Sequence, residues 1–284
     1  MIMVHIYTDS TADLSPELIE RFKIHIIPLY VYLNDAVYTD GVNVTNADLF
    51  QSVETTGQLP KTAAPAVGDF IRHFSEPGEY IYISISSQLS ATHQNALLAR
   101  ENCEPSISGS QRIFVIDSKN LSTGIGLLVL RAAELRDQGL PAAEIARQIE
   151  ASISKVHTSF TIETLDYLYK GGRCSAMQNL MSGLLHIRPV IAVRPDGTLG
   201  VKNKTRGTRH KALQFMLDDF AEQVEKVDLH RVFVTHTGCD ADAEYLRSEL
   251  LKIAPIEEVA ITLAGSVVAS HCGPDTIGIL FFEK

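Results

Sequence analysis

The chain has 284 residues, 45% of them hydrophobic, which excludes a disordered chain and allows one large or two ordinary domains. A net charge of −9 excludes both the basic face of a nucleic-acid binder and general adsorption to anionic membranes. No run reaches transmembrane length, the start Met1-Ile2-Met3-Val4-His5 lacks a basic n-region, and Cys103, Cys174, Cys239 and Cys272 form no C-x-x-C pair. These features predict a cytoplasmic protein with no stable membrane insertion and no zinc or redox motif.

Strands and helices alternate along the first half. Val4–Thr8 reads as a strand, and Ser15-Pro16 as an N-cap followed by proline at the first helical position. The apolar, β-branched run Ile24–Leu33 reads as a second strand, and Thr45-x-x-Asp48 as a capping box. Tyr80–Ile85 and Ile113–Ile116 read as buried strands, each leading through serines into a helix, Ala91–Arg100 and Thr123–Gln138. Ala142–Val156 is predicted to be a further helix. This βα repetition predicts a mostly parallel sheet with flanking helices.

The second half reads as mixed α/β. Glu163–Lys170 is a short helix stopped by Gly171-Gly172, and Pro195-Asp196-Gly197 turns a hairpin between Ile187–Val193 and Thr198–Lys204. Helices are predicted near Lys211–Val227 and Asp242–Ile253, and strands at Arg231–Thr235, Val259–Leu263 and Ile277–Phe282. A boundary near His157 divides the chain into domains 1–156 and 157–284, with no Pro/Gly linker between them.

Ligands of open parallel sheets bind beyond the carboxyl ends of the strands. Those ends are rich in hydroxyls here: Thr8-Asp9-Ser10-Thr11, Ser86-Ser87 with Ser90 and Thr92, Asp117-Ser118 with Ser122, and Thr235-His236-Thr237. Such groups can donate to a carboxylate or phosphate, and they are equally the residues that cap helices. There is no G-x-S-x-G elbow and no phosphate loop. Gly124-x-Gly126 is half of a dinucleotide fingerprint inside an apolar stretch, the signature of a close-packed helix. The histidines have no metal-binding spacing, and Asp240-Ala241-Asp242 reads as a helix start rather than a calcium loop. Residue patterns alone thus leave the ligand open.

Several segments, in order, resemble the DegV family of bacterial fatty-acid-binding proteins, which includes the binding subunits of fatty acid kinase. They are Thr8-Asp9-Ser10-Thr11-Ala12-Asp13-Leu14, Lys61-Thr62-Ala63-Ala64-Pro65 and Ile85-Ser86-Ser87-Gln88-Leu89-Ser90-Ala91-Thr92. Asp117-Ser118 with Gly124 and Gly126, then Glu163-Thr164-Leu165-Asp166-Tyr167-Leu168 with Gly171-Gly172-Arg173, follow. Ile187-Arg188-Pro189-Val190 and His271-Cys272-Gly273-Pro274 complete the series. The sequence departs from the family pattern at Ala63-Ala64, Ala91 and Asp275.

The resemblance implies one unit over about 3–282, with two α/β domains and a long acyl chain buried between them. It implies that Thr62, Ser90, His271 and Arg206 bind the carboxylate, with Arg173 a candidate contact for a partner. The implied function is a carrier. It would bind a fatty acid such as palmitate and present it to a fatty acid kinase catalytic protein, in lipid transport or fatty acid metabolism, with no cofactor and no catalytic residue of its own. Two other readings stay open. One is an acyl-ester hydrolase with Ser90 as nucleophile and His271 as base; the other is a lipid-sensing regulator.

Overall fold

The computed structural model of the chain describes residues 3–103, 112–174 and 187–284. Strand β1 (Val4–Asp9) ends in a 3-10 turn, and Ser15 then caps α1 (Pro16–Arg21), its hydroxyl accepting from the Leu18 amide at 3.4 Å. The expected single strand over Ile24–Leu33 is instead two, β2 (Ile24–Ile27) and β3 (Tyr30–Leu33). Pro28 cannot donate to a ladder, so the run breaks there, and the Leu29 amide turns to Ser10 Oγ at 3.1 Å. β4 (Ala36–Thr39) pairs with β3, and the capping box on Thr45 and Asp48 starts α2 (Asn46–Thr56). β5 (Lys61–Ala63) joins β3 from the other side, and α3 (Val67–His73) follows.

β6 (Glu79–Ser84), α4 (Thr92–Cys103), β7 (Ile113–Asp117) and α5 (Thr123–Asp137) keep the expected βαβα order. α6 (Ala142–Ser152) stops short of its expected end. A 3-10 turn over Ile153–Lys155 then leads into β8 (Val156–Thr161), so the boundary placed near His157 lies within this strand. After it come α7 (Asp166–Lys170), the antiparallel hairpin of β9 (Ile187–Val193) and β10 (Leu199–Arg206), α8 (Arg209–Gln223) and β11 (Val227–His236). α9 (Asp240–Ile253), β12 (Glu258–Leu263), α10 (Ser266–Cys272) and β13 (Ile277–Glu283) complete the chain.

The strands form a parallel sheet of order β2-β1-β6-β7, a mixed six-stranded sheet of order β10-β9-β8-β13-β11-β12, and a small sheet β4-β3-β5. The two large sheets face each other across α5, which lies in the largest apolar core. Both faces of the central strands are buried. In β6, Ile81 and Ile83 point into the shared core while Tyr80 and Tyr82 point to α3 and α4; in β13, Leu280 and Phe282 alternate in the same way with Ile279 and Phe281. Gly124 and Gly126 let α5 pack this closely. A β-carbon on Gly124 would lie 2.6 Å from Thr158 Oγ1, and one on Gly126 would lie 2.8 Å from a Leu14 methyl. The structure thus assigns the paired glycines to packing. No helix among the described residues is long and apolar enough to cross a membrane.

Candidate functional site

A cavity of about 250 Å³ opens where β5, the loop after β6, α7 and α10 converge. Leu29, Ile85, Leu121, Leu168, Leu199 and Val268 supply its apolar wall. Thr62, Ser90, His271 and Arg173 supply its polar groups. These come from four stretches far apart in sequence, so the parallel sheet, the small sheet and α10 must all be in place before the group exists.

Thr62 is the central residue of β5, where pairing with Val31 of β3 fixes its backbone. Its Oγ1 lies 2.8 Å from His271 Nε2. His271 sits in the last turn of α10, and its Nδ1 is buried without a hydrogen-bond partner among the described residues. That nitrogen faces Gly171, where a β-carbon would come within 2.7 Å of it. Burial, and then the nearby Arg173 guanidinium, push the His271 pKa down to about 4. The imidazole is therefore neutral at pH 7.

Ser90 precedes α4. Its Oγ lies 2.8 Å from Thr92 Oγ1 and accepts from the Thr92 amide at 3.3 Å, so it starts the helix and lines the cavity at once. His271 contacts Thr62 rather than Ser90, and among the described residues Ser90 has no hydrogen bond to a histidine. Cys272 also lines the cavity, and burial holds its thiol protonated by raising its pKa to about 12.

Arg206 departs from the expected placement. It is exposed at the last position of β10, the edge strand of the six-stranded sheet, and does not line the cavity. The arginine that does so is Arg173, exposed at the rim and donating from Nε to the Leu89 carbonyl at 3.4 Å and from Nη1 to the Gly171 carbonyl at 2.6 Å. The Gly171-Gly172-Arg173 motif carries the sequence signal for it; being contiguous with a helix stop, it gives no sign of reaching a cavity.

Most of the other hydroxyl-rich strand ends tie loops together. Thr8 Oγ1 donates to the Ile83 carbonyl at 2.8 Å, and Asp9 accepts from the Ile85 amide at 2.9 Å and the Tyr82 hydroxyl at 3.1 Å. Asp117 holds the Ser87 hydroxyl at 2.6 Å and the Lys119 amide at 3.0 Å. Thr235 lies in a chain of hydroxyls, 2.6 Å from Thr123 and 2.9 Å from Thr262. None of these hydroxyl or carboxylate side chains lines the cavity.

α10 itself was missed at the sequence level, and it supplies Val267, Val268, His271 and Cys272 to the cavity. Its first turn is held from afar. Asp13 Oδ1 accepts from the Gly265 amide at 2.7 Å, and Asp40 Oδ1 from the Ser266 amide at 2.8 Å. The charges favour a helix N-terminus, while burial raises the pKa of both carboxyls above the ordinary range.

A family model for uncharacterised proteins of the DegV family matches residues 3–284. A DegV domain-containing protein of Caldanaerobacter subterraneus is 30% identical over the whole of both chains. The solved structure of a DegV family protein from Thermus thermophilus, described as fatty-acid binding, is 31% identical, covers 100% of each chain and superposes with a TM-score of 0.91. The fatty acid kinase B3 protein of Streptococcus pneumoniae, solved with linoleic acid, shares the fold at 22% identity and a TM-score of 0.87, again over 100% of each chain.

Proposed function

The chain belongs to the DegV family, and on that premise we propose that it binds a long-chain fatty acid such as palmitate and presents the carboxylate to a partner kinase. The observation that carries this reading is the cavity's polarity: a cluster of hydroxyl, imidazole and guanidinium groups at one side and aliphatic side chains elsewhere. A carboxylate removed from water costs several kcal/mol unless it is paired and hydrogen-bonded. Thr62 and Ser90 offer hydroxyl donors, and Arg173 offers the opposite charge at the rim. The neutral His271, donating from Nε2 to Thr62 Oγ1, would leave the threonine proton free for the ligand. Each methylene buried among the leucines and valines contributes about 0.8 kcal/mol.

The exposed position of Arg173 also suits contact with a kinase, so the same side chain would meet both carboxylate and partner. In this reading phosphoryl transfer belongs to the partner, and the chain acts as a carrier in fatty acid metabolism. The separation of Ser90 from His271 argues against the hydrolase alternative, because a serine nucleophile needs its base within hydrogen-bond reach.

The test is titration of delipidated protein with palmitate, followed by treatment with a fluorophosphonate. Saturable binding with Ser90 unlabelled is the expected result. No binding, together with a labelled Ser90, would transfer the assignment to ester hydrolysis.

A further inference from the structure

A second cavity, of about 360 Å³, lies outside the site described above. Its walls come from the β7–α5 loop, the segment entering β8, the β9–β10 hairpin and α8. Its volume falls within the range of roughly 300–1,000 Å³ usual for small-molecule sites. In a chain of net charge −9, this cavity gathers Lys119, Arg194, Lys202 and His157.

Two of these cations form no direct ion pair among the described residues. Lys202 is paired with Asp219 at 2.6 Å, and His157 lies 3.2 Å from Glu283. Lys119 and Arg194 have no ion-pair partner among the described residues. Asp196 accepts from the Thr198 amide at 3.0 Å and its hydroxyl at 2.7 Å, and the nearby Arg194 charge helps to lower its pKa without a direct ion pair, while Asp117 accepts from Ser87 and the Lys119 amide.

The fold holds both cations in place, Lys119 through its backbone and Arg194 through its side chain. Lys119 has φ 49°, a left-handed conformation uncommon outside glycine, asparagine and aspartate, with its Cα packed against Gly197 of the hairpin turn. The Arg194 guanidinium lies against Gly200, so closely that a β-carbon there would sit 2.7 Å from Cζ and Nη2. The hairpin that carries Arg194 is tied to the parallel sheet by Ser86 Oγ, which donates to the Gly197 carbonyl at 2.8 Å. This brings the arginine from one sheet and the lysine from the other to the same cavity. The rest of the lining includes Val193, Val201 and the Phe281 ring, on which His157 stacks at 5.0 Å.

We propose that this cavity binds an organic phosphate, with Lys119 and Arg194 on the phosphate and an apolar or aromatic body against Val193, Val201 and Phe281. A guanidinium fork and an ammonium are the pair that recognises phosphate oxygens, and a planar ring suits the stacked floor. The proposal is independent of fatty-acid binding, since none of these residues lines the first cavity.

The experiment is calorimetric titration of the full chain with AMP and, separately, with inorganic phosphate. It is repeated on Arg194→Ala, on Lys119→Asn (asparagine tolerates the left-handed backbone) and on Gly200→Ala, with folding checked by circular dichroism. Saturable binding of AMP is expected, weakened at least about tenfold by removal of either cation, with bound fatty acid unchanged. Gly200→Ala should mimic Arg194→Ala, because the methyl displaces the guanidinium while the charge remains. Absence of AMP binding at millimolar concentration, or equal binding in Arg194→Ala and Lys119→Asn, would overturn the proposal. Binding of inorganic phosphate without AMP would overturn its organic part.

Discussion

At His271, burial and the Arg173 charge act in the same direction, and the imidazole pKa falls to about 4 from its ordinary 6.5. The folded value lies below the unfolded one. The stability this group contributes is therefore fully present above pH 6.5 and is lost as pH falls through about 4. A carboxylate placed beside Thr62 would favour the imidazolium and raise the value again. The expected NMR titration of His271 thus has a midpoint near 4 in empty protein and a higher one in loaded protein. A midpoint near 6.5 in empty protein would contradict the buried, neutral imidazole.

Gly171 serves the same residue by leaving room. A methyl there would lie 2.7 Å from both His271 Nδ1 and the Tyr167 carbonyl, one of them a ring the site needs and the other backbone. Gly171→Ala is expected to lose about 1–3 kcal/mol of stability, as overpacking usually does, and to lose fatty acid in larger proportion. Thermal melts and lipid content of the same preparations separate the two effects. An unchanged lipid content at reduced stability would remove Gly171 from the site.

Among the elements, α10 explains most about what the sequence conceals. Ser266-Val267-Val268-Ala269-Ser270-His271-Cys272 has adjacent β-branched residues and little helical signal. Its helix depends on Asp13 and Asp40, both more than two hundred residues upstream, which hold its first amides. The missed β8 has the opposite cause. Ile149, Ile153 and Val156 continue the helical spacing of α6, but Ser152 Oγ bonds back to the Gln148 carbonyl at 2.8 Å and the chain turns into a strand. Elements fixed by local chemistry, such as the Ser15-Pro16 start, the Thr45 capping box and the Pro195–Gly197 hairpin, were legible from sequence.

The anchoring of α10 has a pH signature of its own. Desolvation is the main cause that raises the Asp13 carboxyl pKa, with Ser122 and the Gly265 amide opposing it and Asp40 and Asp9 adding to it. A pKa raised above the ordinary 3.8 means stability that is present below that pH and lost as pH rises through the folded value. Asp13→Asn removes the titration. Urea unfolding of both proteins across pH should show wild type losing stability relative to the variant as pH rises. A constant difference would show that Asp13 is not buried in its charged form.

At the scale of the whole molecule, the parallel sheet and the apolar helix α5 followed from hydrophobic patterning, whereas the mixed sheet with its central β8, and the place of α5 between the two sheets, did not. The candidate site did not follow from patterning. Thr62 and Ser90 have the same chemistry as Thr8, Ser118 and Ser122, which stabilise loops, and only convergence in space separates them. The family resemblance singled out Thr62, Ser90 and His271; geometry removed Arg206 from the cavity and placed Arg173 at its rim. The resemblance gave Arg206 the carboxylate and Arg173 a partner contact, and nothing local shows which arginine reaches the cavity, since each adjoins a glycine in a polar stretch.

The measurement that tests the central claim most directly is denaturing mass spectrometry of an organic extract of the purified protein, beside the same extract from Thr62→Ala combined with Ser90→Ala. A stoichiometric long-chain fatty acid in the wild type, absent or greatly reduced in the double variant while its circular dichroism is unchanged, is the predicted result. A wild type that carries no fatty acid and takes up none when palmitate is added would contradict the account.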